Sequence, residues 1–162
     1  MVNNIVTKLN TIYPNLKFTS SNSYYWSPET KEIFYKKGLY DDIHQWSVLH
    51  EAGHALLNHT NYDLDFQLLA IEIEAWEKAK EIANNIGLSI SNDHIQDCLD
   101  TYRDWLHRRS ICPKCSNKSF QQRNRNYYRC FNCHTRWRVS SSRFCRTYRM
   151  ADKTILSNQL LI

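Results

Sequence analysis

The chain has 162 residues, of which 42% are hydrophobic, while three are Gly and three are Pro. This composition supplies a real core and excludes long flexible linkers, and no apolar run approaches the roughly 18 residues that a membrane helix needs. The N-terminal segment lacks the apolar stretch of a secretory signal, so we expect a soluble cytoplasmic protein without a membrane partner.

The charge is distributed unevenly along the chain. Residues 1–109 carry 10 Lys/Arg against 15 Asp/Glu, a net charge of −5, whereas residues 110–162 carry 11 Lys/Arg against one acid, a net charge of +10. A change of sign on this scale indicates two units with different partners. We therefore predict a first domain over residues 1–109, a second over 110–150 and a tail over 151–162.

Apolar periodicity predicts four helices in the N-terminal part of the chain. They are expected over residues 3–13, from Asp41 or Asp42 to about 59, from about 64 to 86, and from Ser91 or Asn92 to about 109. Short polar side chains at the helix starts can accept an orphan backbone N–H, and Gly87 suits the position just after a helix end.

One β-hairpin is predicted between the first two helices, in the segment "YYWSPETKEIFYKK". Its strands are expected at residues 24–26 and 32–36, with a turn at 28–31. We expect the second strand to lie at an edge, where an extended peptide can add as a further strand. Helices combined with a small sheet or hairpin make the predicted fold class α+β.

The segment "HEAGHALLNH" at residues 50–59 contains the pattern HExxH. His50 and His54 are four residues apart and share one helical face, so both imidazoles can reach one ion. Glu51 lies about 100° around the helix, beside that ion, where it can accept a proton from a water molecule. The pattern predicts a metal site with Glu51 as the catalytic base. A glycine in mid-helix, Gly53, indicates that another element packs closely there.

A third ligand is predicted in the next helix. Glu72 falls in the middle of that helix's apolar arc, whereas its neighbouring acids fall on the opposite face. A buried carboxylate is costly unless it is paired with a cation or bound to a metal, so Glu72 is the predicted ligand and Glu74 the second choice. The alternative is a Glu72 paired with Lys or Arg in the core. We expect His59 at the surface or beside the ligands.

A second metal site is predicted from Cys112, Cys115, Cys130 and Cys133, which form a Cys-x2-Cys-x14-Cys-x2-Cys pattern. Four thiolates satisfy a tetrahedral zinc ion and leave no open position, which is typical of a structural zinc ribbon. Disulfides are the alternative, and the absence of an export signal argues against them. The expected cofactors are therefore two zinc ions, one catalytic and one structural.

Basic and aromatic residues are interleaved throughout residues 110–150. Arginine can bind phosphates while aromatic rings stack on bases, so we expect this region to contact nucleic acid. Nothing in the sequence favours DNA over RNA. The alternative is a basic module that contacts a protein or has no specific partner.

The constellation His50-Glu51-xx-His54 followed by a helical Glu72-xx-Ala75-xxx-Ala79 resembles the ImmA/IrrE-like group of gluzincin metallopeptidases. The resemblance covers residues 24–90. It implies a zincin-like α+β core, a zinc ion held by two histidines and a glutamate, and a general base next to the first histidine. It also implies hydrolysis of peptide bonds, often in regulatory proteins such as repressors.

The overall layout is also similar to that of SprT-like proteases, which join an HExxH domain to a C-terminal zinc ribbon and act near DNA. Their third ligand is typically a later histidine, for which His94 and His107 are the candidates here. A further alternative is a non-catalytic regulator that binds nucleic acid and keeps the zincin core as a scaffold. Glu51 favours an enzyme, because a scaffold has no use for a base beside the metal.

Overall fold

The computed structural model describes residues 5–123, 126–140 and 142–152, and within these ranges the fold is α+β, as predicted. The helices are α1 (Ile5–Ile12), α2 (Asp42–Leu56), α3 (Asp65–Asn85) and α4 (Asn92–Ser110). The strands are β1 (Lys17–Ser21), β2 (Tyr25–Ser27), β3 (Glu32–Lys36), β4 (Phe120–Gln121), β5 (Tyr127–Arg129), β6 (Arg136–Val139) and β7 (Arg149–Ala151).

The chain divides into two compact units. The N-terminal unit comprises Met1–Tyr62 and Gln67–Asp100, and the C-terminal unit comprises Asp63–Phe66 and Thr101–Ile162. The expected domain limits at residues 109 and 150 stay a prediction. Residues 3 and 4 of the first predicted helix, and residues 153–162 of the predicted tail, lie outside the described residues.

The first sheet has the order β1-β3-β2. The predicted hairpin is present, because β2 pairs antiparallel with β3 and places Trp26 opposite Ile33. Strand β1 was not predicted, and it pairs in parallel with the other side of β3. The expectation that residues 32–36 form an edge is therefore wrong. Strand β3 is central, its Ile33 is fully buried, and β1 and β2 are the edges.

Helix α2 begins at the predicted cap and ends earlier than predicted. The Asp41 carboxylate accepts a hydrogen bond of 2.7 Å from the backbone N–H of His44. At the other end, Asn58 takes a left-handed conformation with φ of 52°, and the N–H of His59 donates to the carbonyl of His54. This is a Schellman ending, which stops the helix at Leu56 and folds the chain back over the last turn.

The core of the N-terminal unit is formed by α1 residues, β3 and the inward faces of α2, α3 and α4. Helices α2 and α3 approach closely at Gly53, where an added Cβ would clash with the carbonyl oxygen of Ala75. The close packing expected at Gly53 is thereby confirmed. Gly87, with φ of 72°, follows α3 as expected.

In the C-terminal unit, the second sheet has the order β4-β5-β6-β7 with antiparallel pairs throughout. Tyr128 and Trp137 are buried on its inner face, with their rings stacked at a centroid distance of 5.6 Å. A buried ion pair joins Asp65 to Arg109 at 2.6 Å, and the Tyr128 hydroxyl donates to the same carboxylate at 2.7 Å. This network was not predicted.

Among the described residues, no helix combines the length and the apolar character that crossing a bilayer requires.

Candidate functional site

Three predicted ligands meet between α2 and α3. The Nε2 atoms of His50 and His54 lie 3.1 Å apart, and Glu72 Oε2 lies 3.1 Å from His50 Nε2. The other oxygen of Glu72 lies 3.7 Å from His54 Nε2. All three side chains are buried, and together they could hold one metal ion.

The chemistry of this donor set favours a cation. Two imidazole nitrogens and a carboxylate oxygen lie within 3.7 Å of one another in a buried place, and such a group needs a positive charge, either protons on the imidazoles or a metal ion in their place. Burial alone would raise the pKa of Glu72, but hydrogen bonds from His50 and His54 outweigh it and hold that pKa well below its usual range. The carboxylate is therefore ionised and available as a ligand.

The imidazole of His50 is held by packing. Its ring stacks on the indole of Trp76 with a centroid distance of 4.2 Å and an interplanar angle of 27°. The same close approach of α2 to α3 that requires Gly53 brings Glu72 within reach of both histidines. Within the described residues, the Nδ1 atom of His50 is buried without a hydrogen-bond partner.

His54 is oriented by a chain of hydrogen bonds. Its Nδ1 lies 2.9 Å from Nδ1 of His59, and Nε2 of His59 lies 3.2 Å from Glu74 Oε2. If Nε2 of His54 is a ligand, its Nδ1–H donates to His59, and the Nε2–H of His59 donates to Glu74. His59 thus lies beside the ligands, one of the two expected positions, and Glu74, the second choice as ligand, contacts His59 instead.

Glu51 lies next to the three ligands and contacts the edge strand. The backbone N–H of Trp26 in β2 donates to Glu51 Oε2 at 2.7 Å. The indole N–H of Trp26 also donates to the carbonyl of His59 at 2.9 Å. Burial raises the pKa of Glu51, and the neighbouring His50 partly opposes that rise. A carboxylate with a raised pKa is suited to accepting and returning a proton.

The later histidines do not join this cluster. His94 packs its ring against Trp46, with a centroid distance of 4.9 Å, and its Nε2 lies 3.7 Å from the sulfur of Cys98. Within the described part of the chain, neither His94 nor His107 belongs to a metal-ligand group. Among the described residues, Glu72 and not a later histidine completes the group that His50 and His54 begin.

The four predicted cysteines form a second cluster, in the C-terminal unit. The sulfurs of Cys112 and Cys133 lie 3.6 Å apart, and those of Cys115 and Cys130 lie 3.5 Å apart. These distances exceed the roughly 2.05 Å of a disulfide, and all four cysteines are free thiols. The cluster could hold a metal ion and is compatible with a zinc ribbon.

Backbone amides stabilise negative charge on these sulfurs. The N–H of Lys114 donates to the sulfur of Cys112, and the N–H of Cys133 donates to that of Cys130. Backbone hydrogen bonds lower the pKa of Cys130 and of Cys115, while burial raises that of Cys112. Amide donors of this kind favour the thiolate, which is the form that binds metal.

A basic cleft opens on the surface of the C-terminal unit, with a volume of about 700 Å³. Three arginines, a histidine, a tyrosine and a glutamine line it: Arg123, Arg129, Arg136, His134, Tyr127 and Gln122. Sequence reasoning expected positive charge and aromatic rings over residues 110–150, and the structure brings these side chains to one surface.

Comparison of the chain with profiles of known protein families, with curated proteins and with solved structures finds no match. The resemblance to ImmA/IrrE-like metallopeptidases therefore stays a prediction, and the chemistry of the site is argued from its own geometry.

Proposed function

We propose that the protein is a zinc-dependent metallopeptidase of the gluzincin type, with His50, His54 and Glu72 as the ligands. Tetrahedral zinc with bonds of about 2.0–2.1 Å places its ligand atoms roughly 3.3 Å apart. The three distances of 3.1, 3.1 and 3.7 Å between the ligand atoms are close to that value. Three protein ligands also leave a fourth position open, which is typical of a catalytic site.

The observation that carries the proposal is the placement of Glu51 beside these ligands. A bound zinc ion would polarise a peptide carbonyl and make a water molecule more acidic. Glu51 accepts the proton of that water and later returns it to the departing amine. The Trp26 N–H holds the carboxylate of Glu51 in place for both transfers.

The substrate in this proposal is a protein segment in an extended conformation. Among the described residues, strand β2 has β3 on one side and no strand on the other, and the Trp26 N–H donates to Glu51. A peptide that adds along β2 by backbone hydrogen bonds would therefore lie next to the base. The resemblance to ImmA/IrrE-like enzymes favours a regulatory or nucleic-acid-associated protein as the substrate.

The proposal is tested with the Glu51→Gln variant. The zinc-loaded protein is incubated with a mixed peptide library, and cleavage products are measured by mass spectrometry. Because the variant loses the base but no ligand, we expect cleavage to fall by about 10²–10⁴-fold while bound zinc is unchanged. Glu77→Gln, on the exposed face of α3, is the matched control and should cleave normally. Undiminished cleavage by Glu51→Gln would remove the peptidase assignment.

The second zinc ion, in this proposal, is structural and is bound by Cys112, Cys115, Cys130 and Cys133. Zinc–sulfur bonds of about 2.3 Å place tetrahedral sulfurs roughly 3.8 Å apart, close to the 3.5 and 3.6 Å between the paired sulfurs. Four free cysteines in one cluster fit a reducing compartment, and we propose the cytoplasm.

We further propose that residues 110–150 bind nucleic acid and bring the peptidase to its substrate. The net charge of +10 over residues 110–162 and the arginine-lined cleft support this role, because phosphate contacts by Lys and Arg supply most non-specific affinity. A non-catalytic regulator would share this property, and the Glu51→Gln experiment distinguishes it from a peptidase.

A further inference from the structure

We infer that the C-terminal sheet binds single-stranded nucleic acid on its outward face, by stacking unpaired bases on aromatic rings between arginines. This inference rests on the proposed nucleic-acid binding by residues 110–150 and specifies both the surface and the form of the ligand. We call this surface the outward face; it consists of Phe120, Tyr127, Arg129, Arg136, Arg138 and Met150.

The strand register defines the outward face. Arg129 pairs with Phe120 on one side and with Arg136 on the other, so these three side chains form one row across β4, β5 and β6. Arg138 pairs with Tyr127 and with Met150, which gives a second row across β5, β6 and β7. Directly paired residues point to the same face of a sheet with adjacent side chains.

Burial alternates along the strands in agreement with this register. On β6, Trp137 and Val139 are buried while the arginines between and beside them are exposed. On β5, Tyr128 is buried while Arg129 is exposed. The apolar side of the sheet is therefore covered by the unit's own core, and the other side presents arginines and aromatic rings to solvent.

The ring of Phe120 is open to a ligand, whereas that of Tyr127 is half-buried and lies beside Arg136. Phe120 is 75% exposed, and its ring lies 6.2 Å from that of Phe131, which is itself 62% exposed. The guanidinium of Arg136 lies 4.3 Å from the ring centroid of Tyr127. Exposed aromatic rings that are not needed for the core gain from contact with a flat apolar surface, such as the face of a base.

The charge of the face favours an anion. The acid present in residues 110–162 is Asp152, and its carboxylate pairs with Arg136 at 3.2 Å. Among the described residues, Arg129 and Arg138 have no acidic partner. Arginine side chains at paired positions of neighbouring strands, such as Arg129 and Arg136, repel one another. A phosphate bound between them would reduce that repulsion.

The combination of rings and charge selects an unpaired strand over a duplex. Bases in a duplex stack on one another and present only their edges in the grooves, so Phe120 and Tyr127 would gain no stacking from it. A single strand can place bases on the rings and phosphates on the neighbouring arginines at the same time. An acidic peptide would satisfy the arginines but leave the rings unused.

The test uses the full, zinc-loaded chain and fluorescence anisotropy. The probes are a labelled oligo-dT strand, the same strand annealed to oligo-dA, and a labelled oligo-U strand. Comparison of oligo-dT with the duplex tests the preference for unpaired bases, and comparison of oligo-dT with oligo-U distinguishes DNA from RNA. We expect both single strands to bind at least about tenfold more tightly than the duplex, because only they can stack on the rings. Poly-glutamate should compete weakly.

Two classes of variant separate stacking from charge. Phe120→Ala and Tyr127→Ala should each weaken single-strand binding about tenfold and leave its salt dependence unchanged. Arg129→Ala and Arg138→Ala should each reduce the slope of log K against log salt by about 0.7. The controls are Phe144→Ala and Arg146→Ala, two exposed residues outside the sheet, which should bind like the wild type.

Two results would overturn the inference, and they have different consequences for the proposed function. If the duplex binds as tightly as the single strands and Arg146→Ala weakens binding more than Arg129→Ala, residues 110–150 bind nucleic acid through another surface. If none of the three probes binds, both the inference and the proposed nucleic-acid binding fail. The variants concern exposed side chains, except for the half-buried Tyr127, and unchanged zinc content shows that each remains folded.

Discussion

The two ligand clusters of this protein differ in how they are assembled. The four-cysteine cluster takes its ligands from two short Cys-x2-Cys knuckles, whose own backbone amides donate to the sulfurs. The other cluster takes two histidines from one turn of α2 and a carboxylate from α3, and its geometry depends on helix packing. A metal ion in the first cluster would have four protein ligands, whereas an ion in the second would have three and an open position.

From this difference we infer which cluster would stabilise the fold and which one could support catalysis. The four-cysteine cluster lies in a unit with a small apolar core, so a metal ion there would contribute directly to folding. The His50, His54 and Glu72 cluster lies against a core that is already extensive, and Glu51 lies beside its ligands. An ion there would not be needed for folding, and Glu51, the proposed base, would lie beside it.

The largest expected effect comes from opening the four-cysteine cluster. Cys130→Ser should remove one zinc ion and unfold the C-terminal sheet, because metal binding to such sites is worth on the order of 10 kcal/mol. Near-ultraviolet circular dichroism and zinc content measure the loss. Cys145→Ser, which changes an exposed free cysteine, is the control and should be silent. A folded Cys130→Ser sheet would show that the cluster is not structural.

The next largest effect is on zinc affinity, and it distinguishes Glu72 from Glu74 as the third ligand. Removing a ligand should weaken zinc binding by more than the roughly 10–100-fold that loss of an outer partner costs. We therefore expect Glu72→Ala to lose zinc at concentrations that Glu74→Ala tolerates, because Glu74 acts only through His59. Competition with a chromophoric chelator gives both affinities. The reverse order would show that Glu74 is the ligand.

A smaller loss of stability and of zinc affinity is expected from a substitution at the contact between α2 and α3. Gly53→Ala places a methyl group against the carbonyl of Ala75 and must separate the helices. Overpacking of this kind costs about 3 kcal/mol in the free energy of unfolding, and the separation should also weaken zinc binding. Urea denaturation and chelator competition measure the two effects. A variant with unchanged stability but weaker zinc binding would mean that the helices move without loss of packing.

The sequence predicts those features that depend on local patterns. The cap at Asp41, the helix end at Gly87 and the burial of Glu72 between exposed acids all follow from residue type and helical period. The four cysteines are close together, as their spacing indicates. The α+β class follows from helices flanking a hairpin, and it is confirmed.

The features that sequence reasoning missed depend on contacts between distant residues. Strand β1 contains Ser and Thr and has no strong strand pattern, and it is defined by parallel pairing with β3. The pairing of Asp65 with Arg109 joins residues 44 positions apart. The early end of α2 at Leu56 depends on Asn58 taking a left-handed conformation, which Gly adopts more often.

The central claim is tested most directly by the zinc content per chain, measured by mass spectrometry under native conditions for the wild type, Glu51→Gln and Glu72→Ala. The proposal predicts two zinc ions in the wild type and in Glu51→Gln, one for each ligand cluster, and one in Glu72→Ala. A wild type with a single zinc ion that Glu72→Ala retains would contradict it, because the three ligands would then hold no metal.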